Sequence, residues 1–140
     1  MFWCCTGSGM ENFTKLGDSI YFHANDTLIV NQYVSSKVTW EEKNLVVTQK
    51  SDVTKSDKAT FTVNAKDGST IPSAALALRV PDWMHGKAVV TVNGQEEKAA
   101  FSSGGYILLD REWKDGDVVT MEYPMSVDAF GLPDNNTVFA

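Results

Sequence analysis

The chain has 140 residues, of which 43% are apolar and 21% charged. That is the size and balance of one globular domain, and such a chain needs no disulfide or metal simply to hold a core. Net charge is −6 with no stripe of Lys and Arg, and no apolar run approaches the ~18–20 residues of a membrane span, so nucleic acid and membranes are not expected partners.

The chain opens on Met1-Phe2-Trp3-Cys4-Cys5, which lacks the basic and long apolar regions of a signal peptide. Two aromatics and two thiols are an odd start, because free ends are usually polar. The far end, Asn136-Thr137-Val138-Phe139-Ala140, reads as a strand cut short. The chain is therefore expected to be a piece of a larger protein.

Met10, Phe13, Leu16 and Ile20 recur at helical spacing, and Ser8 with Glu11 fits a capping box. This predicts a short helix over about 9–21, weakened by Gly17. Asn25-Asp26-Thr27 predicts a turn. The pattern then changes to period two. Strands are expected over 28–34, with a continuation at 37–40, and over 44–49, 58–64 and 74–80, the last stopped by Pro81. A strand over 87–92 runs into Asn93-Gly94, a strong hairpin signal, with 99–101 as the expected return. Strands at 105–110 and 118–123 follow, and 126–130 fits a last short one.

The apolar types agree with this. There are 15 Val and 12 Thr against 8 Leu, and β-branched side chains suit a pleated surface. The expected fold is mainly β: an antiparallel β-sandwich, jelly-roll-like, preceded by one short N-terminal helix. Strand order is not legible, and an immunoglobulin-like order stays open.

Cys4-Cys5 is the feature with chemical content. The pair fits buried, inert thiols, a strained vicinal disulfide, or shared ligation of a soft metal. Zinc takes four ligands, and this chain offers Cys4, Cys5, His23 and His85 with nothing to bring them together. Both histidines read as ordinary, partly exposed side chains. Trp83 and Trp113 each follow a strand and precede a turn, which suits covering a sandwich edge better than stacking on sugar. The triplets at Asn12, Asn25 and Asn135 match the N-glycosylation pattern, which is common by chance and means little if the source is bacterial.

Trp3-Cys4-Cys5-Thr6-Gly7-Ser8-Gly9-Met10-Glu11-Asn12, followed by Lys15-Leu16-Gly17-Asp18-Ser19-Ile20-Tyr21, resembles the β-L-arabinofuranosidases of glycoside hydrolase families 127 and 146. The likeness continues through Leu28-Ile29-Val30-Asn31-Gln32-Tyr33-Val34-Ser35-Ser36. It resumes in Arg79-Val80-Pro81-Asp82-Trp83, Val92-Asn93-Gly94 and Trp113-Lys114-Asp115-Gly116-Asp117. The Cys-Cys-x-Gly-x-Gly-x-Glu segment is the specific part. The later segments also suit other β-sandwich modules.

The resemblance implies an (α/α)-barrel catalytic domain followed by β-sandwich domains. It implies a zinc-bound cysteine nucleophile and retention of configuration through a glycosyl-cysteine intermediate. Cys4 would then be the nucleophile and a zinc ligand, and Cys5 a second ligand. The remaining ligands, a Glu and a Cys, and the acid/base Glu would come from the barrel. Residues 1–24 would be the last strip of that barrel, 25–131 the sandwich, and 132–140 the start of a further segment. Glu11, seven residues after Cys4, could reach a substrate hydroxyl, although a capping role with Ser8 accounts for it more simply.

Three roles follow for the chain. It is the non-catalytic sandwich portion of a zinc-dependent retaining glycosidase, inactive alone and with no zinc of its own. Alternatively it is a carbohydrate-binding module for arabinose-containing glycans, or a purely structural prop for the barrel. Residues 1–22, deprived of the barrel, are expected to disorder or to self-associate. The compartment, cytoplasmic or exported, is not legible.

Overall fold

Alternation of side chains builds the strands. In β5 (Lys58–Ala65), Ala59, Phe61, Val63 and Ala65 are buried while their neighbours Thr60, Thr62 and Asn64 are only half-buried. β11 (Asp117–Glu122) shows the same rhythm, with Val119 and Met121 turned inward. A strand whose side chains alternate in this way has one face for a core and one for water. This computed structural model describes residues 4–84, 86–98, 100–102, 105–127, 129–132 and 135–139.

Two sheets carry the fold. One contains β1 (Tyr21–Ala24), β2 (Thr27–Val30), β6 (Ala74–Arg79), β10 (Tyr106–Arg111) and β9 (Ala100–Ser102), in that spatial order. The other is ordered β3 (Ser36–Trp40), β4 (Leu45–Ser51), β5, β11, β7 (Val89–Val92), β8 (Gln95–Glu96). The described pairs are antiparallel except β2 with β6, which run parallel. A separate hairpin joins β12 (Gly131–Leu132) to β13 (Asn135–Phe139).

The sheets face each other across one core. Leu28, Val30, Leu76, Leu78, Ile107 and Leu109 come from the first sheet, and Leu45, Val47, Phe61, Val63, Val119 and Met121 from the second. Each such side chain contributes on the order of 1.5–3 kcal/mol by leaving water. The fold is the β-sandwich with one short N-terminal helix that the sequence predicts.

Several boundaries differ from expectation. The helix, α1, spans Cys4–Thr14 rather than 9–21. Ser8 therefore lies inside it, and the Ser8–Glu11 pair is not a capping box at its start. Ile20 is buried at the edge of the sandwich and its carbonyl accepts from the Asn31 N–H (2.9 Å). The residues after it pair with β2 as a strand. A helical period had merged two outward residues, Phe13 and Leu16, with this inward one.

Segments 28–34 and 37–40 are not one strand, because 31–35 crosses from one sheet to the other. Gln49 holds the crossover by donating from Nε2 to the carbonyls of Gln32 (3.1 Å) and Val34 (2.9 Å). At Asn93-Gly94 the hairpin forms, with positive φ at both residues (52° and 80°) as its tight turn requires. Its return strand is β8 rather than 99–101, whose described part, β9, joins the other sheet beside β10. Among the described residues of 126–130 there is no strand.

Candidate functional site

The Cys-Cys motif lies on α1. Cys4 is the first helical residue, and its side chain lies outside the described residues. Cys5 follows it and is exposed. Glu11, two turns on, is exposed as well. Every residue from 5 to 18 is exposed, and Met10, Phe13 and Leu16 turn 70%, 79% and 62% of their surface to solvent. The sandwich thus gives α1 no apolar seat.

Below the helix the chain is pinned. Asn31 donates from Nδ2 to the Ser19 carbonyl (3.0 Å), and its Oδ1 accepts from the Tyr106 hydroxyl (3.0 Å). One amide therefore ties the end of the helical segment to both β2 and β10.

Among the described residues no group of three His, Cys, Asp or Glu side chains could hold a metal. His23 sits on β1 against the Trp40 ring, with centroids 5.5 Å apart. His85 lies outside the described residues. Two thiols are half of what zinc needs.

The tryptophans part company. Trp113 is 5% exposed, donates from Nε1 to the Ala74 carbonyl (2.8 Å) and lies under the Arg111 guanidinium, 5.4 Å from its centroid. It belongs to the core. Trp83 is 53% exposed and stands edge-on to Tyr123, at 6.2 Å and 84°. Tyr123 is stacked on Tyr33, with centroids 5.2 Å apart and planes within 4°.

Of these rings, Trp83 and Tyr33 line a cleft of about 310 Å³, together with Val53, Arg79, Pro81 and Asp82, while Tyr123 is buried behind them. At its floor the Tyr33 hydroxyl donates to the Arg79 carbonyl. Burial, and to a smaller degree the neighbouring Tyr123, push the Tyr33 hydroxyl well above its ordinary pKa, so it stays a neutral donor. Sequence reasoning had grouped Trp83 with Trp113. The Pro81 after β6, which turns the chain out of the sheet, was the signal that separates them.

A larger recess, about 640 Å³, runs beside β10 among Glu97, Lys98, Asp110, Arg111, Glu112 and Lys114. Its size does not make it the better candidate. Arg111 is already paired with Glu97 at 2.6 Å, and the remaining charges are ordinary solvated ones.

The fold defines a class: a two-sheet β-sandwich preceded by one short helix. Residues 27–125 match the family described as the middle domain of GH127 β-L-arabinofuranosidases, and the chain belongs to that family. Among solved structures, a GH127 β-L-arabinofuranosidase from Geobacillus stearothermophilus T6 is similar over 96% of this chain, at 25% identity and a TM-score of 0.80. A structure described as a glycoside hydrolase is similar over 91%, at 25% identity and 0.77. A GH127 β-arabinofuranosidase shares the fold over 91%, at 21% identity and 0.72. The chain covers only 21%, 21% and 22% of those three, so it corresponds to part of a larger protein. No curated protein matches it. No helix among the described residues is long and apolar enough to cross a membrane.

Proposed function

We propose that this chain is the sandwich portion of a glycoside hydrolase acting on β-L-arabinofuranosides, and that it delivers Cys4 and Cys5 to an active centre completed by groups outside these residues. The observation that carries the reading is the overlap of 96% of the chain with a GH127 β-L-arabinofuranosidase, at a TM-score of 0.80. The exposed apolar side of α1 supports it, because such a helix suits packing against another domain of the same protein.

In that centre Cys4 is the nucleophile and one zinc ligand, and Cys5 a second ligand. Zinc supplies a lowered thiol pKa, which keeps the sulfur ionised at neutral pH. The helix does the rest that these residues can do: it carries two neighbouring cysteines on its first turn. With the acid/base and the other ligands elsewhere, this chain alone does not assemble the reaction and binds no zinc. Retention follows from two displacements: the thiolate displaces the aglycone, which takes its proton from the acid, and water, deprotonated by the same group, then displaces the sulfur.

The test uses the longer protein that contains this chain, with an aryl β-L-arabinofuranoside. Cys4→Ser is expected to lower kcat by about 10³-fold or more, as removal of a nucleophile does. Cys5→Ser is expected to lower bound zinc, read by metal analysis. Unimpaired turnover by Cys4→Ser defeats the nucleophile assignment, and zinc-dependent turnover by the 140-residue chain alone defeats the incomplete-site reading.

A further inference from the structure

We propose that the cleft under Trp83 is a binding site for a neutral saccharide. Trp40 and Trp113 are 7% and 5% exposed, whereas Trp83 leaves 53% of its surface in water. An indole left half-bare forgoes burial worth more than almost any other side chain offers. Trp83 is nonetheless held in place. The turn that carries it closes with a hydrogen bond from the Met84 N–H to the Pro81 carbonyl (3.1 Å). Its ring meets Tyr123, which is fully buried and stacked on Tyr33. The result is a fixed aromatic wall on a rigid base, so little order has to be created on binding.

In the same cleft, Val53 is 49% exposed and Pro81 adds a second apolar edge. The polar groups are few and of opposite sign. Arg79 and Asp82 both line the cleft, and neither forms an ion pair with a described residue. Gln32 also lines the cleft.

That combination selects a ligand class. A charged ligand would satisfy one of Arg79 and Asp82 and oppose the other. A neutral ligand rich in hydroxyls satisfies both, since hydroxyls donate to a carboxylate and accept from a guanidinium. A ligand with one flat C–H face and a rim of hydroxyls also fits the indole opposite. Sugar rings have both features. About 310 Å³ leaves room for one or two rings and sits at the small end of ligand sites, ~300–1,000 Å³. The site uses neither Cys4 nor Cys5, so it stands or falls apart from the glycosidase reading.

The test titrates the 140-residue chain with methyl β-L-arabinofuranoside, L-arabinose and xylotriose, following the Trp83 indole N–H by NMR. At least one of them is expected to shift that signal saturably, with a Kd on the order of 1 mM. Trp83→Ala should weaken binding about tenfold or more, with Trp83→Phe in between. Asp82→Asn and Arg79→Met should each weaken it severalfold. Galacturonic acid and arginine methyl ester, one anionic and one cationic, should bind more weakly than the neutral sugars. No saturable shift with any sugar overturns the proposal. So does unchanged affinity in Trp83→Ala, or tighter binding of either charged probe. Should Trp83→Ala fail to fold, the Asp82→Asn titration and the position of the shifted signals decide.

Discussion

Strand β5 and helix α1 use apolar residues in opposite ways. In β5, Ala59, Phe61 and Val63 are all within 1% of complete burial. In α1 and the turn after it, Met10, Phe13 and Leu16 face water. Both segments are amphipathic by sequence, but only the strand finds its partner within the described residues. An eleven-residue helix containing Gly7 and Gly9 is marginal by propensity alone, so its order has to come from contacts beyond its own turns. The sandwich is a domain whose stability is internal; the helix is a segment whose stability belongs to something else.

The largest effect that tests this contrast is on the strand. Phe61→Ala should cost about 3–5 kcal/mol in chemical denaturation of the isolated chain, through lost burial and the cavity left behind. A loss as small as that of a surface substitution would mean that the sandwich is not one cooperative core.

The next effect concerns the turn that joins β10 to β11. The Asp117 carboxylate accepts from Asn93 Nδ2 (2.9 Å) and from the Lys114 N–H (2.9 Å), and the Val118 N–H donates to Asn93 Oδ1 (2.9 Å). Burial alone would raise the Asp117 pKa, but the Asn93 and Lys114 hydrogen bonds outweigh it and hold it below the usual carboxylate range. A lowered folded-state pKa adds stability above the unfolded value of about 4, and that stability is lost as pH falls through the folded one. Asp117→Ala should therefore cost about 1–3 kcal/mol at neutral pH, by leaving buried donors without a partner. It should also flatten the acid limb of a stability–pH curve. An unaltered limb would assign the acid sensitivity elsewhere, with Asp67 next in line: its hydrogen bonds from Ser69, and then Asn44, hold it at about 2.

A smaller effect lies at the junction of the two regions. Asn31→Ala removes the bonds to Ser19 and Tyr106 and should cost about 1 kcal/mol. Its sharper signature is in hydrogen exchange, where amides around 15–20 should open while those of β5 keep the protection of the whole domain.

How much of this was readable in advance follows the same division. Alternation placed β5, β10 and β11 to within a residue or two, because a strand buried on one face writes its geometry into every second side chain. β6 also lies where expected, but it is buried continuously from Ala74 to Leu78 rather than on one face. The parallel pairing of β2 with β6 was not legible, since period-two patterns carry no direction. Residues 15–21 read as helix because Ile20 continued the spacing of Phe13 and Leu16, and spacing does not record which way a side chain faces. At the candidate site, Cys4, Cys5 and Glu11 stood out by residue type alone. The Trp83 cleft did not, because it is assembled from segments near 31–33, 53 and 79–83 that only the crossing of the two sheets brings together.

The smallest expected change in stability comes with a large change of another kind. Phe13→Ser replaces a side chain 79% exposed, so it should alter the unfolding free energy by less than about 0.5 kcal/mol. The same residue, with Met10 and Leu16, forms the apolar side that the isolated chain leaves bare, and such patches drive association. The unaltered chain is therefore expected to sediment as a concentration-dependent oligomer, and a Met10→Ser, Phe13→Ser, Leu16→Ser variant as a monomer with the same unfolding midpoint. A midpoint lowered by several degrees would show that α1 does rest on the sandwich, and the contrast between the two regions would be withdrawn. An unaltered chain that stays monomeric while its helical amides resist exchange would have the same consequence, since a lone helix of this composition has no other source of order.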